Sequence, residues 1–461
     1  MSGIDSIDRQ AGEGAEKTFV HHPQIPYDPL VMLYVGQGSV VLPFEFTDWR
    51  DETMAGKRSC SIHASLNPQP TFRIRGPEAL KFLSDVCVND FTNFPTGRAK
   101  HAITCNEDGF DMGDGVLLRL GEDEFISYEM GANYIAYMFE QGKYDAVGED
   151  LTGTMFLYQV AGPRSLEVLE AATGDDLHDI RFAHCRASSV DGMEVNVLRV
   201  GMPGTLAYEL HGKAEDGLAV YNAVLKAGEP FGIRRLGFRA YLMQHTEGGF
   251  PQAFNHFPHP WLEDEGFLKY LEKIGIRSRY TDVCKGSMGP DIRLRYRNPV
   301  ELGWGKMINF NHDFVGRKAL EKEVAVPSRA MVTLVWNPED IIDVCASKFR
   351  PGEPYASMDN PYERFVDGAG WAYYADQVLK DGRLIGISSG RTLSYNYHQM
   401  LSLCSIDVEH GELGTEVIVL WGEPGTRQKE IRAVVSRFPY LNENRNEDVD
   451  VSAIPRLAAS K

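Results

Sequence analysis

The sequence predicts an α+β protein in which two related α+β units are followed by a small antiparallel β-barrel. A pattern of strand, Gly-Pro and Leu-x-x-Leu helix occurs twice in the first half of the chain. Each copy is followed, at a distance, by alternating strands and by a second helix. Beyond about residue 327, short alternating strands succeed one another without intervening helices, which is typical of a barrel.

The repeat is clearest in FRIRGPEALKFL (72–83) and YQVAGPRSLEVL (158–169). In both segments Gly permits a tight turn out of the strand, and Pro suits the first turn of the helix. The strands GVLLRL and DEFISYEM and the helix NYIAYMFEQG follow the first copy. EVNVLRVGM, LAYELHG and GLAVYNAVLKAG follow the second copy in the same order. Two similar units facing each other are the simplest interpretation.

Five short strands predict the barrel: AMVTLVWN, GRLIGISSG, MLSLCSIDV, TEVIVLWG and EIRAVVSRF. Gly, Pro, Asp and Asn separate them. We therefore divide the chain into a flexible tail (1–25), a first α+β unit (26–150), a second α+β unit (151–261), a connector (262–326), a β-barrel (327–440) and a C-terminal tail (441–461).

Composition excludes several classes of function. The chain has 461 residues, with 47 Lys and Arg against 65 Asp and Glu, and a net charge of −18. This charge disfavours nucleic acid or an anionic membrane as the main partner. The polar N-terminus lacks the apolar segment of a secretion signal, and no apolar run is long enough to span a membrane. The seven scattered cysteines form no C-x-x-C pair, so we expect a reduced, cytoplasmic protein.

One acidic residue is placed unusually. Glu209 lies between Tyr208 and Leu210 in an apolar strand, and an unpaired buried acid costs several kcal/mol. The guanidine-like edge of a pterin would be a suitable partner. The alternative is a Glu on the solvent face of an edge strand.

Together these features resemble the folate-dependent aminomethyltransferase family, the T-protein of glycine cleavage and its relatives. The motifs are ELGWGKMINFNHDFVGRKAL (301–320), GRLIGISSGRTLSYNYHQMLSLCSIDV (382–408) and ELGTEVIVLWGE (412–423). Within the family the chain is most similar to the tetrahydrofolate-dependent aryl O-demethylases of vanillate and syringate and to methylenedioxy-lignan demethylenases. The shared segments include GPEALKFLSD and VTLVWN. The resemblance implies an aminomethyltransferase-like fold with tetrahydrofolate as cofactor.

The resemblance also assigns site residues. It places Glu209 on the pterin and Tyr241 beside the ether oxygen, and it makes Tyr208, Gln159 and Phe250 further candidates for the pterin pocket. For Phe250 the alternative is ordinary core packing. Where T-proteins carry an acidic pair, this chain has Gly113-Asp114, which leaves Asp114 as the second catalytic candidate. The Gly113-Asp114-Gly115 sequence is also typical of any turn.

The expected reaction moves a one-carbon group from an aryl ether oxygen to folate. A tyrosine with its ordinary pKa of about 10 roughly matches a phenol, so Tyr241 is expected to share a proton with the departing oxygen at little energetic cost. The alternative for Tyr241 is a packed ring whose hydroxyl binds a backbone carbonyl.

The substrate is expected to be neutral. Segments 64–70 and 127–133, which align with the carboxylate clamp of the aryl-acid enzymes, contain neither Arg nor His. Glu129 would repel a carboxylate there. The candidate substrate contacts are Glu129, Asn67 and His256, and the carbon moved is the methyl of a methoxyphenol or the methylene of a methylenedioxyphenyl compound such as a lignan.

Several alternatives stay open. The histidines at 245, 256 and 259 are interrupted by prolines and are expected to line a pocket rather than bind a metal. Gly36-Gln37-Gly38 lacks the third glycine of a flavin-binding motif. The remaining functional alternatives are an aminomethyltransferase, a dimethylsulfoniopropionate-type demethylase and a non-catalytic folate-binding regulator. The oligomeric state is left open.

Overall fold

The fold is described from a computed structural model of the chain. The ranges that the structure describes are 20–21, 24–37, 40–65, 67–276, 282–358 and 372–457. Most of the predicted N-terminal tail, and the last four residues, lie outside them.

The first strands of the chain do not join the sheet of the first predicted unit. A small sheet forms in the order β1-β3-β2, and β4 pairs with strands of the second unit. The sheets therefore group residues 26–63 differently from the predicted 26–150 unit. The elements are β1 (Val20–His21), β2 (Leu33–Gln37), β3 (Val40–Glu45), α1 (Trp49–Arg58) and β4 (Cys60–His63).

Five antiparallel strands form the sheet of the first unit, in the order β6-β7-β8-β5-β9. Phe82, Leu83 and Ile135 from its two helices pack into one core with Phe125. The elements are β5 (Thr71–Arg75), α2 (Ala79–Val86), β6 (Ala99–Cys105), β7 (Asp111–Gly121), β8 (Glu124–Tyr128), α3 (Met130–Gln141) and β9 (Val147–Asp150).

The second unit repeats this order. Its sheet runs β11-β12-β13-β10-β4-β14, so each of its first five strands corresponds to one strand of the first sheet. Only β14, which is parallel to β4, is additional. The elements are β10 (Met155–Ala161), α4 (Ser165–Thr173), β11 (Cys185–Val190), β12 (Met193–Leu198), β13 (Ala207–Lys213), α5 (Gly217–Gly228), β14 (Ile233–Arg235), α6 (Phe238–Gly248) and α7 (Glu265–Lys273).

The two Gly-Pro turns occupy equivalent positions after β5 and β10. Gly76 has φ +136° and Gly162 has φ +130°, a region that side chains rarely adopt. A Cβ at Gly162 would lie 2.6 Å from the carbonyl oxygen of Ser59, and one at Gly76 would lie 2.7 Å from that of Asp145. Both turns thus need glycine for backbone conformation and for space.

The C-terminal region is a closed six-stranded antiparallel barrel, β17-β18-β19-β16-β21-β20, in which β20 pairs back to β17. Trp336 and Trp421 fill its core. A helix, α9, follows β16 where the sequence predicted strands without helices. Asn337 caps it by accepting from the backbone N–H groups of Glu339 and Asp340, and Pro338 opens its first turn. The elements are β15 (Cys284–Lys285), α8 (Arg317–Ala325), β16 (Arg329–Trp336), α9 (Pro338–Ser347), β17 (Tyr373–Lys380), β18 (Arg383–Ser394), β19 (Gln399–Asp407), β20 (Glu416–Trp421) and β21 (Lys429–Ser436).

The segment predicted as a C-terminal tail packs on the second unit as far as it is described. The buried Arg199 guanidinium donates to the carbonyl oxygens of Asn446 (2.6 Å) and Val449 (2.7 Å). Val451 joins the core of that unit. These contacts hold residues 446–451 in place.

Helix α6 joins the units to the barrel. Thr246 donates to the carbonyl oxygen of Gly390 (2.6 Å), and Ser394 of β18 donates to the buried Glu247 (2.6 Å). Lys57 of α1 lies 3.2 Å from the other carboxylate oxygen of Glu247. The helix is therefore fixed from both sides. Among the described helices, none has the length and apolarity needed to cross a membrane.

Candidate functional site

A cavity of about 930 Å³ lies between the two α+β units and is completed by α6, the loop after it and the connector. Strands β4, β10 and β13 form one side, which we call the second-unit wall. Strands β6 and β7 and the start of α3 form the opposite side, the first-unit wall. The polar side chains that line the cavity include His63, Gln159, Glu209, Tyr241, His101, Asp114 and Glu129.

The second-unit wall presents a row of polar side chains across three adjacent strands. Gln159 is paired in register with Glu209 on one side and with His63 on the other. Residues paired in this way project from the same face of a sheet. The Oε1 atom of Gln159 is buried and has no hydrogen-bond partner in the described part of the chain. The row therefore offers hydrogen-bonding groups to a flat, polar ligand.

Glu209 is buried, and its carboxylate lies beside the imidazole of His211. Its Oε2 atom lies 3.0 Å from Nε2 of His211, which projects from the same face of β13. His211 is fully buried against the ring of Tyr128, 4.4 Å between centroids. The imidazole thus fixes one carboxylate oxygen. An edge of N–H groups, as on a pterin, suits the second oxygen together with Gln159.

Tyr241, on α6, lies at the edge of this row. Its ring stacks on His63, with centroids 4.2 Å apart and planes 6° from parallel. Its hydroxyl accepts a hydrogen bond from Nε2 of Gln252 (2.9 Å), which leaves its own proton available. Burial raises the pKa of Tyr241 well above its usual value, and the nearby Glu129, Glu209 and Asp114 add to this effect. The raised pKa departs from the expected match to a phenol at about 10, and it favours a hydroxyl that donates a hydrogen bond over one that ionises.

Asp114 on the first-unit wall is paired with His101. Its Oδ2 atom lies 2.7 Å from Nε2 of His101 on the neighbouring strand β6. The Gly113-Asp114-Gly115 sequence is not a turn but part of β7. A Cβ at Gly113 would lie 2.9 Å from Cα of Gly131, and one at Gly115 would lie 2.2 Å from the carbonyl oxygen of Tyr128. The glycines let the start of α3 approach the strand.

A second acid lies beside Asp114. Asp111 is fully buried, and burial followed by the charge of Asp114 raises the pKa of its carboxyl well above the usual range. Asp111 was not predicted as a site residue. Its place three residues before Asp114, in the sequence D-M-G-D, is the signal that could have identified it. Asp111, Asp114 and His259 bring ligand atoms within 4.8 Å of one another, a spacing that a metal ion could use. The absence of a metal site stays a prediction.

Glu129 lies between β8 and α3 in a conformation unusual for a residue with a side chain, with φ +73°. Its N–H donates to the carbonyl oxygen of Pro70 (3.0 Å). Burial raises the pKa of Glu129 well above its usual value, and Glu209 and Asp114 raise it further. A raised pKa favours the neutral carboxyl and weakens the repulsion predicted from Glu129, while Glu209 and Asp114 line the same cavity.

Phe250 and Asn67 also line the cavity. Phe250 lies against His101 and Trp304, with centroids 5.2 and 5.9 Å away. The Asn67 amide is used by the backbone: it donates to the carbonyl oxygens of Ala64 (2.9 Å) and Leu157 (2.7 Å) and accepts from the Leu157 N–H. Asn67 therefore shapes the wall, and its amide has little capacity left for a ligand.

Two predicted residues do not line the cavity. Tyr208 faces the core of the second unit, because neighbours on a strand project to opposite faces and Glu209 takes the cavity face. His256 lies beneath the loop after α6, where its Nδ1 accepts from the Gln252 N–H (3.0 Å) and its Nε2 lies 3.1 Å from the Thr246 hydroxyl. Their positions give no support to ligand-binding roles.

The lining residues that were not predicted as site residues include His63, His101 and Gln252. Of the three histidines expected to line a pocket, 245, 256 and 259, only His245 lines this cavity. Nδ1 of His245 lies 2.9 Å from the carbonyl oxygen of Phe250, and burial lowers the pKa of this imidazole to about 4. Its ring meets Tyr241 edge-on, 4.7 Å between centroids. His245 lies four residues after Tyr241 on α6, and positions four apart share one face of a helix, so this spacing could have identified it as a neighbour of Tyr241.

Comparison with known proteins agrees with this geometry. Residues 35–257 match the GCVT N-terminal domain. The chain is 44% identical to a sesamin methylene transferase from Sinomonas sp. strain No.22, over 90% of this chain and 94% of that protein. It is 31% identical to a syringate O-demethylase from Sphingobium sp. strain SYK-6, over 87% and 90%.

The fold has a counterpart among solved structures. The glycine cleavage aminomethyltransferase T from Bartonella henselae superposes with a TM-score of 0.66 at 15% identity, over 90% of this chain and 96% of that one. The likeness at this identity concerns the fold, and it agrees with two α+β units and a barrel. Together with the extended sequence matches, it shows that the chain belongs to the GCVT family, the aminomethyltransferase family that its motifs resemble.

Proposed function

We propose that this protein is a tetrahydrofolate-dependent one-carbon transferase that cleaves an aryl ether of a neutral substrate. The products would be a phenol or catechol and methyl- or methylene-tetrahydrofolate. The observation that supports this most strongly is the position of Tyr241, a protonated donor beside the polar row of the second-unit wall. The names of the sesamin and syringate relatives point to the same chemistry.

The residues of the second-unit wall fit a pterin. The pterin amino and ring N–H groups would donate to the unpartnered Oε1 of Gln159 and to the carboxylate of Glu209. Each charge-assisted bond to Glu209 would contribute about 1.5–3 kcal/mol. When bound, tetrahydrofolate supplies the nucleophilic nitrogen that receives the one-carbon group. The row of Glu209 and Gln159 would set its orientation, which contributes to the rate by alignment.

Tyr241 and Asp114 would donate and accept the protons of the reaction. A phenolate leaves readily only if its oxygen is protonated or hydrogen-bonded as the bond breaks. Tyr241 would donate to that oxygen, because among the described residues none accepts its hydroxyl proton. The Asp114 carboxylate, held by His101, would accept the proton released at the nucleophile. Both groups line the same cavity.

The charge of the cavity favours a neutral substrate. Its acidic residues include Glu209 and Asp114, and its basic residues Lys100, Lys306 and Arg445 are half-buried or exposed. A substrate carboxylate held near Glu209 and Asp114 would be repelled. Methoxyphenols and methylenedioxyphenyl compounds avoid this cost.

The test is anaerobic incubation with tetrahydrofolate and a panel of neutral and acidic aryl ethers, with both products read by mass. We expect a folate product and a matching phenol or catechol from neutral ethers only. Tight folate binding without any folate product would contradict the proposal and would favour an amine or sulfonium substrate, or a folate-binding regulator.

A further inference from the structure

Glu129 is a second candidate proton donor in the cavity. Glu129 and Tyr241 line the same cavity, and Glu129 adds to the effect of burial in raising the pKa of Tyr241. It forms no ion pair or side-chain hydrogen bond within the described ranges. The cavity thus holds two groups, the Tyr241 hydroxyl and the Glu129 carboxyl, whose pKa values are raised and which can each donate a proton.

The placement of Glu129 is built into the fold. It precedes the first residue of α3, where an acidic side chain ordinarily accepts from the helix N–H groups, yet its carboxyl makes no such bond. The backbone is held at φ +73° by the hydrogen bond to Pro70 and by contact with β7 at Gly115. A strained residue retained beside a cavity is typical of a functional position.

A methylenedioxy bridge requires two protonations. Removing its carbon breaks two C–O bonds, and each leaves its electron pair on a catechol oxygen. Two C–N bonds form to the two folate nitrogens, and their two N–H protons end on the two oxygens. The exchange is balanced without an oxidant or reductant. A methoxy group, by contrast, has one C–O bond to break and one oxygen to protonate.

We propose that Glu129 is the proton donor to the second oxygen of a methylenedioxyphenyl substrate, so that the enzyme transfers methylene in preference to methyl. This inference rests on the proposed aryl ether transferase function. Tyr241 protonates the first oxygen, and Glu129 protonates the second. Glu129 is then a carboxylate, and the second proton released from the nucleophile regenerates its carboxylic acid.

The test compares Glu129→Gln with wild type on two substrates that share a ring, one with a methylenedioxy group and one with methoxy and hydroxyl groups. Loss of a general acid typically lowers the rate 10²- to 10⁴-fold. We therefore expect methylene transfer to fall about 100-fold or more, while methyl transfer changes less than about threefold. Glu122→Gln, the same change in an exposed turn of the first unit, is the matched control.

Infrared difference spectra of the free protein at neutral pH provide a readout without folate. We expect the band of protonated carboxyl groups to be weaker in Glu129→Gln than in wild type, because Asp111 also has a raised pKa and contributes to the band. The proposal is overturned if the substitution leaves that band unchanged, if methylene transfer survives the substitution, or if both transfers fall equally. Wild type that forms no folate product from any aryl ether would instead refute the proposed function.

Discussion

The two walls of the cavity come from sheets with the same strand order, yet they differ in chemistry. The second-unit wall is a row of aligned hydrogen-bonding groups, His63, Gln159 and Glu209. The first-unit wall carries acids, Asp114 and Glu129, with His101 beside them. One repeat thus offers a surface that recognises a polar edge, and the other offers groups that exchange protons.

The difference shows how a repeated unit acquires two roles. Both sheets keep the Gly-Pro turn that fixes strand to helix, since Gly76 and Gly162 are equally constrained. The facing side chains are free to differ because the core lies behind each sheet. If this division is right, substitutions on the second-unit wall should change binding, and those on the first-unit wall should change turnover.

The largest effect is expected at Tyr241, where the walls meet. Tyr241→Phe removes the donor without changing the packing of the ring, so kcat should fall about 10²- to 10⁴-fold while the folate Kd changes little. Tyr208→Phe, on β13 and facing the core of the second unit, is the control and should keep its kcat. Steady-state kinetics measure kcat, and calorimetric titration measures the folate Kd. A Tyr241→Phe variant with normal turnover would show that Tyr241 is not the proton donor.

Asp114 tests the first-unit wall. Asp114→Asn keeps the shape but weakens the acceptor held by His101, so kcat should fall by about 100-fold with folate Kd within about threefold. Single-turnover kinetics together with folate titration measure the two quantities separately. A variant that lost folate affinity and kept its rate of transfer would reverse the roles of the walls.

Glu209 tests the second-unit wall. Glu209→Gln replaces a charge-assisted acceptor, so the folate Kd should rise about 10- to 100-fold, equivalent to about 1.5–3 kcal/mol. Glu215→Gln, in an exposed position after the same strand, makes a suitable control for the loss of one negative charge. Unchanged affinity measured by calorimetry in Glu209→Gln would remove the wall from the binding site.

The smallest effect concerns His245, between the walls. Its folded pKa of about 4 lies below the ordinary value of 6.5, so the folded state binds fewer protons than the unfolded state between these values. Stability therefore falls as pH falls from about 6.5 to 4, by at most about 1.4 kcal/mol per pH unit from this group. Denaturant unfolding of wild type and His245→Asn should differ in slope across this window; equal slopes would place the imidazole in a more polar environment.

Part of the site could be read along the chain. Glu209 was found from its place in an apolar strand and Tyr241 from the family resemblance, and both residues line the cavity. Tyr208 was predicted beside the pterin together with Glu209, although adjacent residues of a strand face opposite sides of the sheet, and its ring lies in the core. His63 was missed because its strand β4 pairs with β10, which is distant in sequence. His101 was missed although its strand β6 pairs with the next strand, β7.

The sequence by itself determined the architecture. Alternation, the two Gly-Pro turns and short strands after residue 327 are local signals, and local backbone preferences are strong enough to specify them. Only the tertiary structure decided the protonation of the site. Glu129, Asp111 and Tyr241 have raised pKa values because folding buries them together with Glu209 and Asp114. Desolvation and mutual repulsion depend on distances across the cavity, which no stretch of sequence contains.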